Sequence, residues 1–226
     1  MLDARLAMAA SLYEPCLQGA DIGTDHAYLP RYLLQRDICQ RMILADISPK
    51  ALQHARDTVE EAALWDRATV VLADGLSPLK DNPCGCVSIM GMGGETLSQI
   101  LRSGHSLLRG AVLVLSAHTD LSQVRMAIRD IHYHITREEV AQAGGRFYLL
   151  WRCEPGDGEW TDTGLRLGTL LLRNPAPEAR AYLRKQEELL RNKLRGIQSA
   201  AVPDGAQMEQ IQADLTVLSA VLSSSS

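Results

Sequence analysis

The chain has 226 residues, 46% of them hydrophobic and 22% charged, with 27 acidic side chains against 23 Lys and Arg. This composition is that of an ordinary globular protein, and it excludes wholesale disorder. The longest apolar run, 111–115, is only long enough for a strand, which excludes a membrane span. The N-terminal sequence lacks the apolar core of a signal peptide, so we expect a cytoplasmic protein.

The cysteines are odd in number and scattered along the chain, at Cys16, Cys39, Cys84, Cys86 and Cys153. Cys84 and Cys86 are separated by one residue, whereas zinc and redox pairs have a two-residue spacer, and no second pair completes a tetrahedron. We therefore predict reduced structural thiols and no metal site.

Short apolar runs alternate with segments of helical period between Gly19 and Leu115. Strands are predicted at 19–23, 42–46, 69–72, 87–90 and 111–115, and helices at 29–38, from Pro49 after a Ser48 cap, at 95–101, and from an Asp120 cap to Ile131. This alternation predicts a mostly parallel sheet with helices on both faces.

The pattern changes after Ile131, where 133–140 and 146–151 flank Gly144-Gly145, the signal of a hairpin. The hairpin would add an antiparallel pair and give seven strands with the last one reversed. We therefore predict an α/β fold with a Rossmann-like sheet. This is the layout of class I methyltransferases, although the pattern alone allows several Rossmann-like enzymes.

The last part of the chain has the pattern of two helices around a turn at 202–205. Apolar residues fall on one face of each helix, at Leu183, Leu190, Leu194 and Ile197, and then at Met208, Ile211, Leu215, Leu218 and Leu222. This spacing predicts an antiparallel coiled-coil hairpin. We divide the chain into a sheet domain, 1–160, and a C-terminal segment, 161–226. Residues 173–195 carry seven basic side chains against three acidic ones, including Arg184 and Lys185.

The loop after the first strand reads Asp21-Ile-Gly23-Thr-Asp25-His26. A dinucleotide fingerprint needs glycine where Asp25 stands, and a carboxylate there repels phosphate. This argues against NAD, FAD and nucleoside triphosphates. It favours S-adenosylmethionine, which has adenosine at one end and cationic sulfonium and ammonium groups at the other. The alternative is that Asp21 and Asp25 only cap the following helix.

Two further carboxylates end the next strands. Asp46 follows the second strand, where an acid accepts from ribose hydroxyls, although it also has the position of a helix cap. Asp74 precedes Gly75 after the third strand, where it is placed to accept from an adenine amino group. The fourth strand ends in Gly91-Met-Gly-Gly94, which either admits a flat acceptor or is simply a glycine-rich turn.

At these motifs the chain resembles the bacterial tRNA adenine-22 N1-methyltransferase family. The resemblance rests on residues 21–30 (DIGTDHAYLP), 74–76 (DGL) and 91–94 (GMGG), and extends to the opening 2–6 segment and the hairpin. It implies S-adenosylmethionine as cofactor, tRNA as substrate, Asp25, His26 and Tyr28 on the substrate side, and a cofactor site formed by Asp21, Gly23, Asp46, Asp74, Gly75, Gly91, Met92 and Gly93.

The fifth strand ends in Ser116-Ala117-His118, where the family usually has Gln-Pro-Asn; this places His118 beside the substrate. We expect Asp25 to accept from the adenine amino group and stabilise the cationic product, and His26 or His118 to orient the base or move a proton. Tyr28 would either stack on the base or pack on the helix.

The basic stripe on the hairpin suggests that Arg184 and Lys185 bind tRNA, although a solvated coiled-coil face explains it nearly as well. We expect a monomer. The remaining alternatives are a methyltransferase for a small molecule or protein, and a non-catalytic module that binds the cofactor.

Overall fold

The computed structural model describes residues 2–173, 175–200 and 202–224. The chain forms two compact units, Met1–Glu159 and Trp160–Ser226. The roles that the sequence suggests for the 1–160 and 161–226 parts stay predictions. None of the helices in the described residues combines the length and the apolar character needed to cross a bilayer.

The first unit is a seven-stranded sheet with helices between its strands. In chain order its elements are α1 (Ala4–Ser11), β1 (Cys16–Ile22), α2 (Tyr28–Gln35), β2 (Cys39–Asp46), α3 (Pro49–Glu61), β3 (Ala68–Leu72), a 3₁₀ turn (Ser77–Lys80), β4 (Cys86–Met92), α4 (Gly94–Leu108), β5 (Val112–Ala117), α5 (Leu121–Asp130), β6 (Tyr133–Ala143) and β7 (Arg146–Pro155). The strand order is β3-β2-β1-β4-β5-β7-β6.

Only the pairs that involve β7 are antiparallel; the other adjacent strands run parallel. This confirms the predicted fold class, a mostly parallel Rossmann-like sheet with a reversed last strand. The chain order reverses between β1 and β4, which are neighbours although two strands separate them in sequence. Such a switch point is where open parallel sheets bind their ligands, outside the carboxyl ends of the strands.

The predicted helix caps differ in outcome. Ser48 caps α3 as predicted, because its hydroxyl accepts from the Ala51 N–H. Asp120 is the N-cap of α5, as predicted, but its backbone is left-handed with φ of 52° and its side chain makes no cap bond to the helix. Its carbonyl, with that of Thr119, lies so close to Gly94 that a Cβ there would sit 2.3 Å from the Thr119 oxygen. The tight approach of the two backbones sets this conformation.

A buried polar cluster joins α5 to β6 and β7. The guanidinium of Arg125 lies 2.8 Å from Oε1 of Glu138, and the Trp151 indole N–H donates to the same oxygen at 2.8 Å. Buried charges are tolerated when they are paired and hydrogen-bonded in this way. The cluster anchors the antiparallel end of the sheet.

The second unit is helical, with α6 (Asp162–Leu167), α7 (Thr169–Arg173), α8 (Pro177–Gln198) and α9 (Gly205–Ser223). Arg180 on α8 donates to carbonyls at the end of α9, and Ser219 of α9 donates to Glu187. These contacts show that α8 and α9 are antiparallel, as predicted. The seam contains a residue that its apolar spacing did not indicate: Asp214 is buried and pairs with Arg166 of α6 at 2.7 Å.

Candidate active site

A cavity of about 520 Å³ opens at the carboxyl ends of β1 to β4. This volume lies in the range of small-ligand pockets. Six of the predicted cofactor residues line it: Gly23, Asp46, Asp74, Gly75, Gly91 and Met92. Their assignment to a cofactor stays a prediction, but the fold brings them into one concave surface, which we call the first cavity.

Asp46 is the last residue of β2, directly before the turn that leads to α3. Its Oδ1 accepts from the Ser48 N–H at 2.6 Å, while the hydroxyl of Ser48 caps the helix. Asp46 therefore does not itself cap α3. An ionised carboxylate offers about four lone-pair positions, so acceptor capacity remains toward the cavity.

Two glycines at the edge of this cavity have backbones that other residues rarely adopt. Gly23 has φ of +79° and its N–H donates to Ala45 at 2.8 Å; a Cβ here would lie 2.7 Å from the Met92 methyl. Gly91 has φ of +80°, and a Cβ there would meet no atom within 4 Å. The bare backbone of Gly91 therefore faces open space at the switch point, which allows close approach of a ligand, whereas the missing side chain of Gly23 leaves room for Met92.

Asp21 is hydrogen-bonded to a buried pair of hydroxyl groups. Ser88 on β4 donates to Asp21 Oδ1 at 2.5 Å, and the Tyr13 hydroxyl donates to Ser88 at 2.7 Å. Burial raises the pKa of Asp21, and the neighbouring Asp46 carboxylate adds to the rise, while the Ser88 bond opposes it. Burial also raises the pKa of Tyr13 well above its usual range. Neither Ser88 nor Tyr13 was identified from the sequence, although a serine inside an apolar strand needs a hydrogen-bonding partner.

A raised pKa in the folded state predicts a pH effect at Asp21. The folded chain binds this proton more tightly than the unfolded chain, whose Asp titrates near about 3.9. Asp21 therefore lowers the free energy of unfolding as the pH rises through that range toward its folded-state pKa. We expect Asp21→Asn to gain stability relative to the wild type between about pH 4 and pH 7. Urea unfolding at both pH values measures this; parallel pH profiles for the two proteins would contradict it.

A second cavity of about 360 Å³ adjoins the first and shares Gly23, Met90 and Gly91 with it. The predicted substrate-side residues of the first unit all line this second cavity, together with Asp21, at Asp25, His26, Tyr28 and His118. The N-terminal residues Asp3, Arg5 and Leu6 close another side. The predicted acceptor residues thus line the second cavity and six predicted cofactor residues line the first, while Asp21, which was also predicted for the cofactor, lines the second. The two cavities share the glycines Gly23 and Gly91.

Asp25 does not cap α2. The N-cap of this helix is Ala27, which has a left-handed backbone and no side-chain cap bond. Oδ1 of Asp25 instead lies 2.9 Å from Nδ1 of His54, and its Oδ2 lies 3.6 Å from Nε2 of His26. The imidazole of His54 stacks on that of His26 with centroids 4.6 Å apart. His54 was not identified from the sequence.

Tyr28 stacks on the other partner of Asp25. Its ring lies nearly parallel to that of His26, with centroids 5.2 Å apart, and Tyr28 stays 50% exposed. The helix packs into the sheet through other side chains, at Leu29, Pro30, Leu33 and Leu34. The alternative in which Tyr28 packs on the apolar face of the helix is therefore wrong, and its ring is accessible to a base.

His118 is the one member of the 116–118 segment among the residues that line the second cavity. The hydroxyl of Ser116 is buried and donates to the Leu149 carbonyl at 2.9 Å, inside the sheet. The His118 ring meets Tyr148 edge-on at 6.0 Å, and the Arg5 guanidinium lies 5.2 Å from the centre of the same tyrosine ring. Arg5 and Tyr148 are therefore neighbours of the acceptor side that the sequence did not reveal.

Three predicted residues are not among the described residues that line these cavities. Gly93 is the N-cap of α4 and is not among the described residues that line either cavity. Arg184 and Lys185 are exposed on α8, in the second unit. Their roles stay predictions.

Asp25, His26 and His54 also have the composition of a metal site, with ligand atoms within 4.8 Å of one another. The two imidazole planes are inclined by only 5°, however. Nitrogen lone pairs lie in the ring plane, so two stacked parallel rings do not direct them at one ion. The expectation of no metal site stays a prediction that elemental analysis of the purified protein can test.

Comparisons with known proteins agree with this geometry. The curated tRNA (adenine(22)-N(1))-methyltransferase of Bacillus subtilis (strain 168) is 29% identical over 157 residues, which are 69% of this chain and 66% of that relative. The aligned part thus spans slightly less than two thirds of the relative's length.

Solved structures match over nearly the whole chain. The Streptococcus pneumoniae protein Sp1610 in complex with S-adenosyl-L-methionine has 25% identity and a TM-score of 0.85, covering 98% of this chain and 100% of its own. M. capricolum TrmK in complex with S-adenosyl-homocysteine has 25% identity and a TM-score of 0.83, covering 98% of both chains.

These relatives confirm the resemblance that the 21–30 motif indicates. The model of the family described as "Methyltransferase domain" matches residues 2–151, which is more than half of the sequence. The chain therefore belongs to the methyltransferase domain family.

Proposed function

We propose that this chain is a cytoplasmic S-adenosylmethionine-dependent enzyme that methylates N1 of adenine 22 in tRNA. The observation that carries the proposal is the pair of adjoining cavities: one lined by strand-end carboxylates, the other by Asp25, His26 and Tyr28. The relatives named as tRNA methyltransferases, and those solved with the cofactor or its product, support it.

The residues of the first cavity fit this cofactor chemically. Asp46 is placed to accept from the ribose hydroxyls and Asp74 from the adenine amino group, while Gly91 leaves room for close approach. Asp21, which is buried and lines the second cavity, would face the cationic end. The bound cofactor supplies a methyl group on a positively charged sulfur. The negative charge of these carboxylates complements that sulfur, whereas it would repel the phosphates of a nucleotide.

The residues of the second cavity must orient the acceptor and stabilise charge. N1 of neutral adenine already carries a lone pair, so no residue has to remove a proton to create the nucleophile. Asp25 would accept from the exocyclic amino group and stabilise positive charge that develops on the ring. The half-exposed Tyr28 ring would stack on the base. N1 lies on the Watson–Crick edge, so the nucleotide must be unpaired or flipped to enter.

Replacing the ribose acid tests the first cavity. We expect Asp46→Ala to weaken cofactor binding by about 1–3 kcal/mol, the range for loss of a charged hydrogen-bond partner. Isothermal calorimetry with S-adenosylhomocysteine measures the change, and Asp57→Asn, an exposed substitution on α3, is the control. An unchanged dissociation constant for Asp46→Ala would remove this residue from the site.

The tRNA would also contact the second unit. The first unit carries 15 basic and 20 acidic residues over 1–159, so it offers no excess positive charge. α8 carries six basic side chains against three acidic ones, and Arg184 and Lys185 are exposed there. We propose that this pair contacts the phosphate backbone of tRNA.

Methyl transfer from labelled cofactor to unmodified tRNA transcripts tests the function as a whole. The expected product is 1-methyladenosine after digestion to nucleosides, with none from a transcript that has guanosine at position 22. Binding of S-adenosylhomocysteine without methylation of any tRNA would overturn the proposal. It would favour a small-molecule or protein acceptor, or a non-catalytic module.

A further inference from the structure

One side chain from outside the 21–30 motif contacts the residue that we place against the adenine. Asp25 lies in the loop between β1 and α2, whose backbone is left-handed at Gly23 and Ala27. Within the part of the chain that the structure describes, its carboxylate contacts two imidazole rings and no backbone amide. The orientation of this carboxylate is therefore set by side chains.

His54 makes the closer of these contacts. It projects from α3, a helix fixed at its start by the Ser48 cap and Pro49. Its Nδ1 lies 2.9 Å from Oδ1 of Asp25. A carboxylate only accepts hydrogen bonds, so the imidazole N–H donates. Charge-assisted bonds of this kind are among the stronger ones, and the 36% exposure of His54 leaves the pair partly shielded from water.

The second oxygen of Asp25 is placed differently. Oδ2 lies 3.6 Å from Nε2 of His26, which is too far for an ordinary hydrogen bond. The side chain of Asp25 is 58% exposed and lines the second cavity. One oxygen is therefore engaged by His54, while the other is open to a donor that enters the cavity.

We propose that His54 is a positioning residue: its donated hydrogen bond holds Asp25 so that Oδ2 faces the adenine amino group. This inference rests on the proposed function. The arrangement follows the general rule that a catalytic side chain is itself oriented by a further group. The hydrogen bond of His54 also connects the two cavities, because α3, which carries His54, begins soon after Asp46 of the first cavity.

Two substitutions separate the hydrogen bond from the ring stacking of His54 on His26. In His54→Asn the side-chain amide nitrogen can occupy the position of Nδ1, so the donor is kept and the ring is lost. In His54→Phe the ring is kept and the donor is lost. His105→Phe is the matched control, because His105 is exposed on α4 and its hydrogen bond among the described residues is to the Arg102 carbonyl, within its own helix turn.

The experiment is single-turnover methylation of tRNA at saturating cofactor, with cofactor affinity and melting temperature measured beside it. We expect His54→Phe to lower the turnover rate by about tenfold, the scale of a misplaced catalytic group. His54→Asn should stay within about threefold of the wild type, and cofactor affinity should not change in either. In an Asp25→Ala background, His54→Phe should cause no further loss, since the group that it positions is absent.

The outcomes distinguish this inference from the function on which it rests. A wild-type protein that methylates no tRNA would overturn the proposed function. A wild-type protein that methylates tRNA, with His54→Phe equally fast, would overturn the positioning role alone. The positioning role would also be overturned if His54→Asn and His54→Phe lost turnover rate equally. It would be overturned as well if His54→Phe lowered the rate in the Asp25→Ala background as much as in the wild type. Either result assigns the effect of His54 to packing.

Discussion

Asp25→Asn should lower the turnover number for tRNA methylation by roughly ten- to a thousand-fold, about 1.4–4 kcal/mol in the activation free energy. The amide retains the size of the side chain and can still accept from His54, but it carries no negative charge. It therefore cannot stabilise positive charge that develops on the adenine ring. Fold and cofactor affinity should be kept, because Asp25 is exposed and lines only the second cavity.

Single-turnover methylation at saturating tRNA measures this loss, with thermal melting and calorimetry of S-adenosylhomocysteine on the same preparations. Asp57→Asn is the control, because it removes an exposed carboxylate from α3 whose hydrogen-bond partner among the described residues is Gln53. Wild-type turnover in Asp25→Asn would exclude the electrostatic role. A loss that only follows the melting temperature would assign Asp25 to stability of the loop.

The positions of the strand-end acids were predictable because parallel strands finish at one edge of the sheet. Once 19–23, 42–46 and 69–72 are taken as parallel strands, Asp21, Asp46 and Asp74 must approach each other. The structure adds that Asp21 is buried and lines the second cavity, whereas Asp46 and Asp74 line the first. The placement of Asp21 depends on Ser88, which lies on another strand and donates a hydrogen bond to the Asp21 carboxylate.

The partners of the site residues were not predictable, because they are distant in sequence and individually unremarkable. His54 lies 29 positions from Asp25, on a helix where its residue type indicates only an exposed face. Asp120 is the N-cap of α5, as its sequence position indicates, but its left-handed backbone and the missing side-chain cap bond were not predictable from the local pattern. Local patterns specify elements, whereas such contacts depend on the assembled fold.

Removing the second unit should separate cofactor binding from tRNA recognition. A chain that ends at Glu159 contains the complete sheet and every residue that lines the two cavities. We expect it to bind S-adenosylhomocysteine with wild-type affinity and to lose about 100-fold or more in kcat/KM for tRNA. The physical reason is charge: residues 1–159 have five more acidic than basic side chains, so without α8 the phosphate backbone meets a net negative partner.

The contribution of the basic residues of α8 can also be measured in the chain of 226 residues, in which the second unit is kept. Arg184→Glu with Lys185→Glu should raise the KM for tRNA and flatten its dependence on salt, because each lost phosphate contact reduces the slope of log K against log salt by about 0.7–0.9. Arg36→Glu with Arg146→Glu is the control, since it changes the net charge equally at exposed positions of the first unit. If the two double variants changed the KM for tRNA equally, the contribution of α8 would be explained by net charge alone and not by a local contact. Unchanged tRNA kinetics in both the α8 variant and the truncated chain would show that the helical unit serves structure or self-association instead.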